Sequence, residues 1–330
     1  MKFPYRLNID STLAKLNHAD RHFQALKREI ADFVAQDFIL AETKTYREAL
    51  TWVKCSAEQV DDLHLDRLVK MRKLDDGTYN VPMATNYMAV SATLLKDVPA
   101  VEWGLAVGDI LNNLRGALDS LVWACTEAEK GPSPILGIKR EKATNKWRAI
   151  TFPVTLDQSN WQGDRDRALW GLRPSLQSRV RKHQPFFRRK NTEGHWLALL
   201  HELWNADKHR IVTPVVGFHG LGNPIHLEVF WPDRLTNKQI QELLDVRLLK
   251  IRPVGAFRGQ SETIARFRIR PRKVTERIHQ TLNLRTQLRH QFDIAFDDRS
   301  PGAGKPVTYT LEGLFNRTAA VITEFQLLAR

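Results

Sequence analysis

Val107 to Cys125 reads VGDILNNLRGALDSLVWAC, and the fold turns on how this stretch is read. At 100° per residue a helix here gathers Ile110, Leu111, Leu114, Ala117, Leu118, Leu121, Val122 and Ala124 on one broad face. The other face holds Asp109, Asn112, Asn113, Arg115, Gly116, Asp119, Ser120 and Trp123. A solvated helix face is ordinarily Lys, Glu, Gln and Ala, whereas Asp, Asn, Gly and Ser each cost roughly 0.5–1 kcal/mol of helix propensity. Something beyond local preference has to hold this segment helical. A polar face packed against other elements, with Arg115 and Asp119 paired at i,i+4, would do so. The stretch is therefore a site, a structural polar network or a poorly optimised surface helix.

A second stretch, His201 to Arg210, reads HELWNADKHR. Leu199, Leu200, Leu203 and Trp204 form its apolar face, and His201, Asn205, Lys208 and His209 fall on the other. Cations in a last turn suit the helix dipole, but Asp207 there does not. The two stretches are expected to meet across a polar cleft. Asp109, Asn112, Asn113, Ser120, His201, Asn205, Lys208 and Arg210 would line it. Arg115, Asp119, Asp207 and His209 are the candidates for chemistry.

Both stretches resemble the signature blocks of a broad family of uncharacterised bacterial proteins. In that family the first block reads GDxxHNLRSALDHL and the second ends in NxDKHR; here they read GDILNNLRGALDSL and NADKHR. The resemblance also takes in HFQALKREIADF near the N-terminus and Phe152-Pro153. It implies no particular activity. More loosely, the first block is similar to the Arg-x4-His element of HEPN-type helical ribonucleases, matched from Arg115 to Ser120. Ser120 stands where that element has its His, and Asn112 where the bacterial family has another His. The resemblance thus implies at most a degenerate, metal-independent ribonuclease. Such chemistry needs a base for the 2′-hydroxyl, an acid for the leaving oxygen and a cation for the phosphate. Arg115 would meet the charge, His209 would shuttle protons, and Asp119 or Asp207 would orient that His.

Charge divides the chain. Residues 1–130 hold 16 Lys+Arg and 19 Asp+Glu, while residues 131–330 hold 34 and 18, so the formal net charge of +13 comes entirely from the second part. Arginine outnumbers lysine there, which suits bidentate phosphate contacts and suggests an anionic partner. A GC-rich genome, which raises arginine everywhere, is the plain alternative. Apolar residues make up 42% of the chain, enough for a substantial core. Cys55 and Cys125 both lie in apolar surroundings and read as buried free thiols of a reducing compartment. MKFPYRLNID has no apolar signal region and no run is long enough to span a membrane, so a cytoplasmic protein is expected.

Two places concentrate the cations. RVRKHQPFFRRK, residues 179–190, includes Arg181, Lys182, Arg188, Arg189 and Lys190 around Phe186 and Phe187, with no acid. One Phe could stack on a base while the cations meet phosphates, although at least one is expected in the core. Farther on, TIARFRIRP alternates Ala265, Phe267 and Ile269 with Arg266, Arg268 and Arg270, and Arg272 follows. A strand puts these sets on opposite faces, giving an arginine ladder that would meet nucleic acid or guard a sheet edge.

The remaining pattern predicts helices over 12–36, 101–130, 195–210 and 311–328, with Asp10 or Ser11 capping the first. Strands are expected within 37–55 and 78–95, around the Asp75-Asp76-Gly77 turn, and in several runs after residue 210. A basic loop is expected over 131–160, with a short strand or turn at 149–154, and a short helix over 275–288. The expected fold class is α+β: a core of four main helices with an antiparallel sheet in the C-terminal half. Residues 1–210 would form the helical core with a hairpin at 38–95, residues 211–300 the basic sheet, and residues 301–330 a helix packing back, all as one continuous domain. There is no P-loop, GxGxxG, GxSxG, CxxC or HExxH, so neither a cofactor nor a metal is expected; His201, His209 and Glu202 are too sparse a set for zinc. The leading expectation is a nucleic-acid-directed protein, RNA ahead of DNA. The alternatives are a small-molecule or metal-assisted enzyme using the polar cleft, and a non-catalytic interaction subunit.

Overall fold

The computed structural model describes residues 3–36, 38–58, 71–131, 150–188, 192, 194–221, 226–230, 244–251, 255–256, 261–271, 283–287 and 290–328. It is an α+β structure with antiparallel sheets. The chain divides into two compact units. The first comprises Met1–Ala35, Val98–Gly217 and Asp293–Arg330, and the second Gln36–Asp97 and Phe218–Phe292.

The first unit is built on helices α1 (Asp10–Ala35), α2 (Ala100–Lys130), α3 (Trp161–Ala168), α4 (Pro174–Lys182), α5 (Trp196–His209) and α6 (Val307–Leu327). The long central helix α2 packs against α1, α5 and α6. Its buried positions include Trp103, Gly104, Val107, Ile110, Leu114, Arg115, Leu118 and Cys125, more than one amphipathic stripe, as suits a helix surrounded by others. Leu26 of α1, Ile110, Leu111 and Leu114 of α2, Phe152, Phe296 and Phe325 of α6 are fully buried around it. The four expected helices are present within a few residues of their expected bounds. At the start of α1 the capping oxygen belongs to neither expected residue: Asn8 Oδ1 accepts the Asp10 N–H at 2.9 Å.

Helices α3 and α4 were not expected. WQGDRDRA has no apolar period for a helix pattern to show, and PSLQSRVRK is short, although Pro174 at its first turn is a standard helix opener. Residues 150–154 are neither strand nor turn, and most of the expected basic loop lies outside the described residues.

The second unit carries the main sheet. Strands β1 (Ile39–Cys55), β2 (Arg72–Lys73), β3 (Tyr79–Leu94), β6 (Leu244–Ile251) and β8 (Ser261–Pro271) form it in the order β1–β3–β8–β6, with β2 beside β3. The sheet is therefore not confined to the C-terminal half. The first hundred residues supply three of its five strands, β1, β2 and β3, because β3 takes β8 as its second neighbour. A smaller sheet is ordered β10–β4–β7, from β4 (Pro214–Leu221), β7 (Gly255–Ala256) and β10 (His290–Phe296), and β5 (His226–Phe230) pairs with β9 (Asn283–Gln287). β9 replaces the end of the helix expected over 275–288; the earlier part of that range lies outside the described residues.

On the main sheet Met88, Val90 and Ala92 of β3 and Ala265 and Phe267 of β8 are buried on one face. A bulge between Val90 and Ser91 lets β8 carry one extra buried residue, Ile264, without losing the alternation beyond it. No helix among the described residues is long and apolar enough to cross a membrane. Cys55 and Cys125 are both buried free thiols, and burial pushes the Cys125 thiol up to about 12.

Candidate functional site

The two sequence blocks do meet. The polar face of α2 is held by α1, by α5 and by the segment around Phe152, which explains how a face so poor in helix formers stays helical. Gly108 opens the contact: a Cβ there would lie 2.5 Å from Asp207 Oδ1, so only glycine lets the Asp207 carboxylate rest on α2. Four residues earlier, a Cβ on Gly104 would run into Ile211 Cγ2, just beyond α5. One turn on, Asn112 Oδ1 accepts the Trp204 indole N–H at 2.7 Å. Asn113 bonds back within the helix, its Nδ2 donating to the Asp109 carbonyl at 2.8 Å. Ser120 Oγ accepts from Lys15 Nζ of α1 at 2.8 Å.

Arg115 and Asp119 form the centre. Arg115 is only 6% exposed. Its Nη2 lies 3.0 Å from Asp119 Oδ1 and donates to the Phe152 carbonyl at 2.6 Å. Asp119 Oδ1 accepts the Phe152 N–H at 2.8 Å. The pair thus grips both polar groups of one peptide residue, as a neighbouring strand would, and fixes Phe152 in the core. Burial pushes the Asp119 carboxyl up, while Arg115, the Phe152 N–H, Lys15 and Lys208 pull it back. Arg115 Nε and Nη1 are buried without a hydrogen-bond partner among the described residues, so the network is not fully satisfied.

The Trp204 ring covers this cation, with the Arg115 guanidinium 5.5 Å and Lys208 Nζ 3.0 Å from its centroid. Trp204 therefore belongs to the polar contact and not to the apolar face of α5, whose buried residues are Leu197, Ala198, Leu199, Leu200 and Leu203. The histidine beside Arg115 is His201. Burial, then Arg115 and Lys208, lower its pKa, and its Nε2 lies 3.0 Å from Asn205 Nδ2. His209 was expected in this role. It is exposed in the last turn of α5, five residues past Trp204 and so about 140° round the helix. Asp207, expected to orient a histidine, instead sits by Gly108, where burial first and then Asp109 raise its pKa. Asp119 faces a backbone N–H, not a ring. Arg210 turns away to donate to the Arg299 carbonyl. No group of three or more His, Cys, Asp or Glu among the described residues could hold a metal ion.

The basic patch of residues 179–190 is divided. Arg179 pairs with Glu324 at 2.9 Å, and Arg181 stacks over Phe186 and Phe187 at 5.7 and 5.5 Å. Phe186 is buried and Phe187 is 54% exposed, so one is a core anchor and the other is open. Lys182 and Arg188 line a cavity, and Arg189 and Lys190 lie outside the described residues.

The arginine ladder of β8 acquires neighbours that no local pattern shows. Pairing across the sheet sets Tyr46, Tyr87, Arg268 and Arg247 in one row and Lys44, Ala89, Arg266 and Lys250 in the next. Directly opposed residues share a face in an antiparallel sheet, so both rows lie opposite the buried face of Met88, Val90 and Phe267. Arg266, Arg247 and Lys44 are exposed, and Arg268 and Tyr87 are half-buried. Arg270 stands opposite Asp245 at the end of the register, β8 ends at Pro271, and Arg272 lies outside the described residues. The sequence reading missed Arg247, Lys44 and the two tyrosines, because only strand register brings them to the ladder.

No family model, no curated protein and no solved structure matches the chain.

Proposed function

We propose that this protein binds single-stranded nucleic acid, RNA ahead of DNA, on the open face of its main sheet. The observation that carries the reading is the pair of rows across β1, β3, β8 and β6, with Tyr46 and Tyr87 beside Arg268 and Arg247, and Lys44 and Lys250 flanking Arg266. Tyr87 offers a flat surface to an unpaired base, worth roughly 1–3 kcal/mol per stacked base, and the exposed Lys44, Arg247 and Arg266 track the phosphates. A sheet face offers no helix to enter a duplex groove; unpaired bases are its natural target, and these are commonest in RNA. The α2–α5 contact is assigned a structural role, because Arg115 and Asp119 are engaged by Phe152 and the open histidine points elsewhere. That assignment leaves the HEPN-like resemblance without a matching arrangement for cleavage.

Short single-stranded RNA and DNA, titrated at two salt concentrations, test the reading. Binding should fall with salt by a log–log slope of about 0.7 per phosphate contacted. The double variant Arg266→Glu/Arg268→Glu should weaken it by at least about tenfold and flatten the slope, while Arg165→Glu/Arg167→Glu on α3 should not. Equal binding by wild type and the β8 variant would overturn the proposal.

A further inference from the structure

A second basic site lies wholly within the first unit. A cavity of about 850 Å3 opens where α4 ends and where α5 and α6 begin. Its walls carry Lys182, Arg188, Lys305 and Arg317, with His183 and His195, and among the described residues no carboxylate lines it. Lys182, Lys305 and Arg317 are exposed and make no ion pair among the described residues. Glu324 does not neutralise them, since Arg179 Nη1 and His183 Nε2 hold its two oxygens at 2.9 and 2.8 Å. His195 and Trp196 open α5, and Pro306 and Tyr309 open α6, so two helices of 14 and 21 residues bring their N-terminal ends to the cavity. Each such end acts as roughly half a positive charge and offers backbone N–H donors. Four cations and two helix ends with no carboxylate among the described lining residues repel one another, and an anion relieves that.

The cavity is not a bare cation cluster. Phe187 is 54% and Tyr309 76% exposed, and both line it. Exposed rings beside cations can stack on a planar base while the cations meet its phosphate. The volume is within the range of small-molecule sites. His195 registers the local field: burial first, then Arg188, Arg317 and His183, lower its pKa to about 4.

We propose that this cavity is a nucleotide site, its cations and helix ends holding the phosphate and Phe187 or Tyr309 stacking on the base. The proposal does not depend on the sheet face, which uses other residues in the other unit. The phosphate and base can come from a free nucleotide or from the phosphorylated end of a strand.

Titration of the full chain with AMP, GMP, CMP and UMP, with adenosine and with inorganic phosphate decides the matter. Expected is saturable binding of at least one nucleotide, with adenosine and phosphate weaker by at least about tenfold. Lys305→Ala/Arg317→Ala should weaken it by a similar factor without changing the melting curve, since both side chains are exposed. Arg266→Glu/Arg268→Glu should leave it unchanged, which separates this site from the sheet. If a short RNA displaces the nucleotide only when it carries a 5′-phosphate, the strand end is the ligand; if neither form does, the free nucleotide is. No saturable binding, phosphate binding as tightly as nucleotide, or an unchanged double variant would each overturn the proposal.

Discussion

Arg115 shows most clearly how a residue with the look of catalysis can serve the fold. Its charge is buried, paired with Asp119 and donated to the carbonyl of Phe152, and the same carboxylate takes the Phe152 N–H. Removing the guanidinium would leave a partly buried carboxylate without its cation and a buried carbonyl without its donor. Loss of one partner from a buried pair costs about 3–5 kcal/mol. Arg115→Ala is therefore expected to lower unfolding stability in urea by about 3 kcal/mol, towards the low end because Asp119 retains some exposure. A loss below about 1 kcal/mol, the range of surface pairs, would contradict the structural role. The sequence made Arg115 and Asp119 legible as a pair at i,i+4. It could not show Phe152, because a contact with a backbone has no side-chain signature. Nor could it choose between His201 and His209, since that depends on which turn of α5 faces α2.

At the scale of elements, α2 lies close to α5 at Gly108 and to the segment just after α5 at Gly104. Glycine in a helix interior costs about 1 kcal/mol relative to alanine, so both positions sacrifice helix propensity for proximity. Gly108→Ala would regain that propensity but drive a methyl group into the Asp207 carboxylate. A net destabilisation of about 1–2 kcal/mol is expected, as in overpacked cores. Gly163→Ala in α3 meets nothing within 4 Å and should stabilise by up to about 1 kcal/mol. Thermal melts of the two variants should move in opposite directions; a stabilising Gly108→Ala would contradict the close packing. The long helices and strands were legible because their apolar residues repeat at 3.6 or 2. Helix α3 was not, since WQGDRDRA repeats nothing. The partner of β8 was not legible either: Ala89 and Arg266 stand opposite each other across most of the chain, and no local pattern encodes so distant a pairing.

At the scale of the whole chain, part of the excess of cations after residue 130 falls, among the described residues, in two arrangements. One is the pair of rows centred on Arg266 and Arg268, and the other the cavity of Lys182, Arg188, Lys305 and Arg317. The sequence announced the first as a ladder. It showed only part of the second, because Lys305 and Arg317 come from residues far from the 179–190 patch and are isolated in their own surroundings. The central claim is that the open sheet face receives nucleic acid, and ultraviolet cross-linking of a short uridine-rich RNA followed by mass spectrometry tests it most directly. The account predicts cross-links in the peptide of β3 containing Tyr87, lost in Arg266→Glu/Arg268→Glu. Cross-links confined to the first unit, or unaffected by that variant, would contradict it.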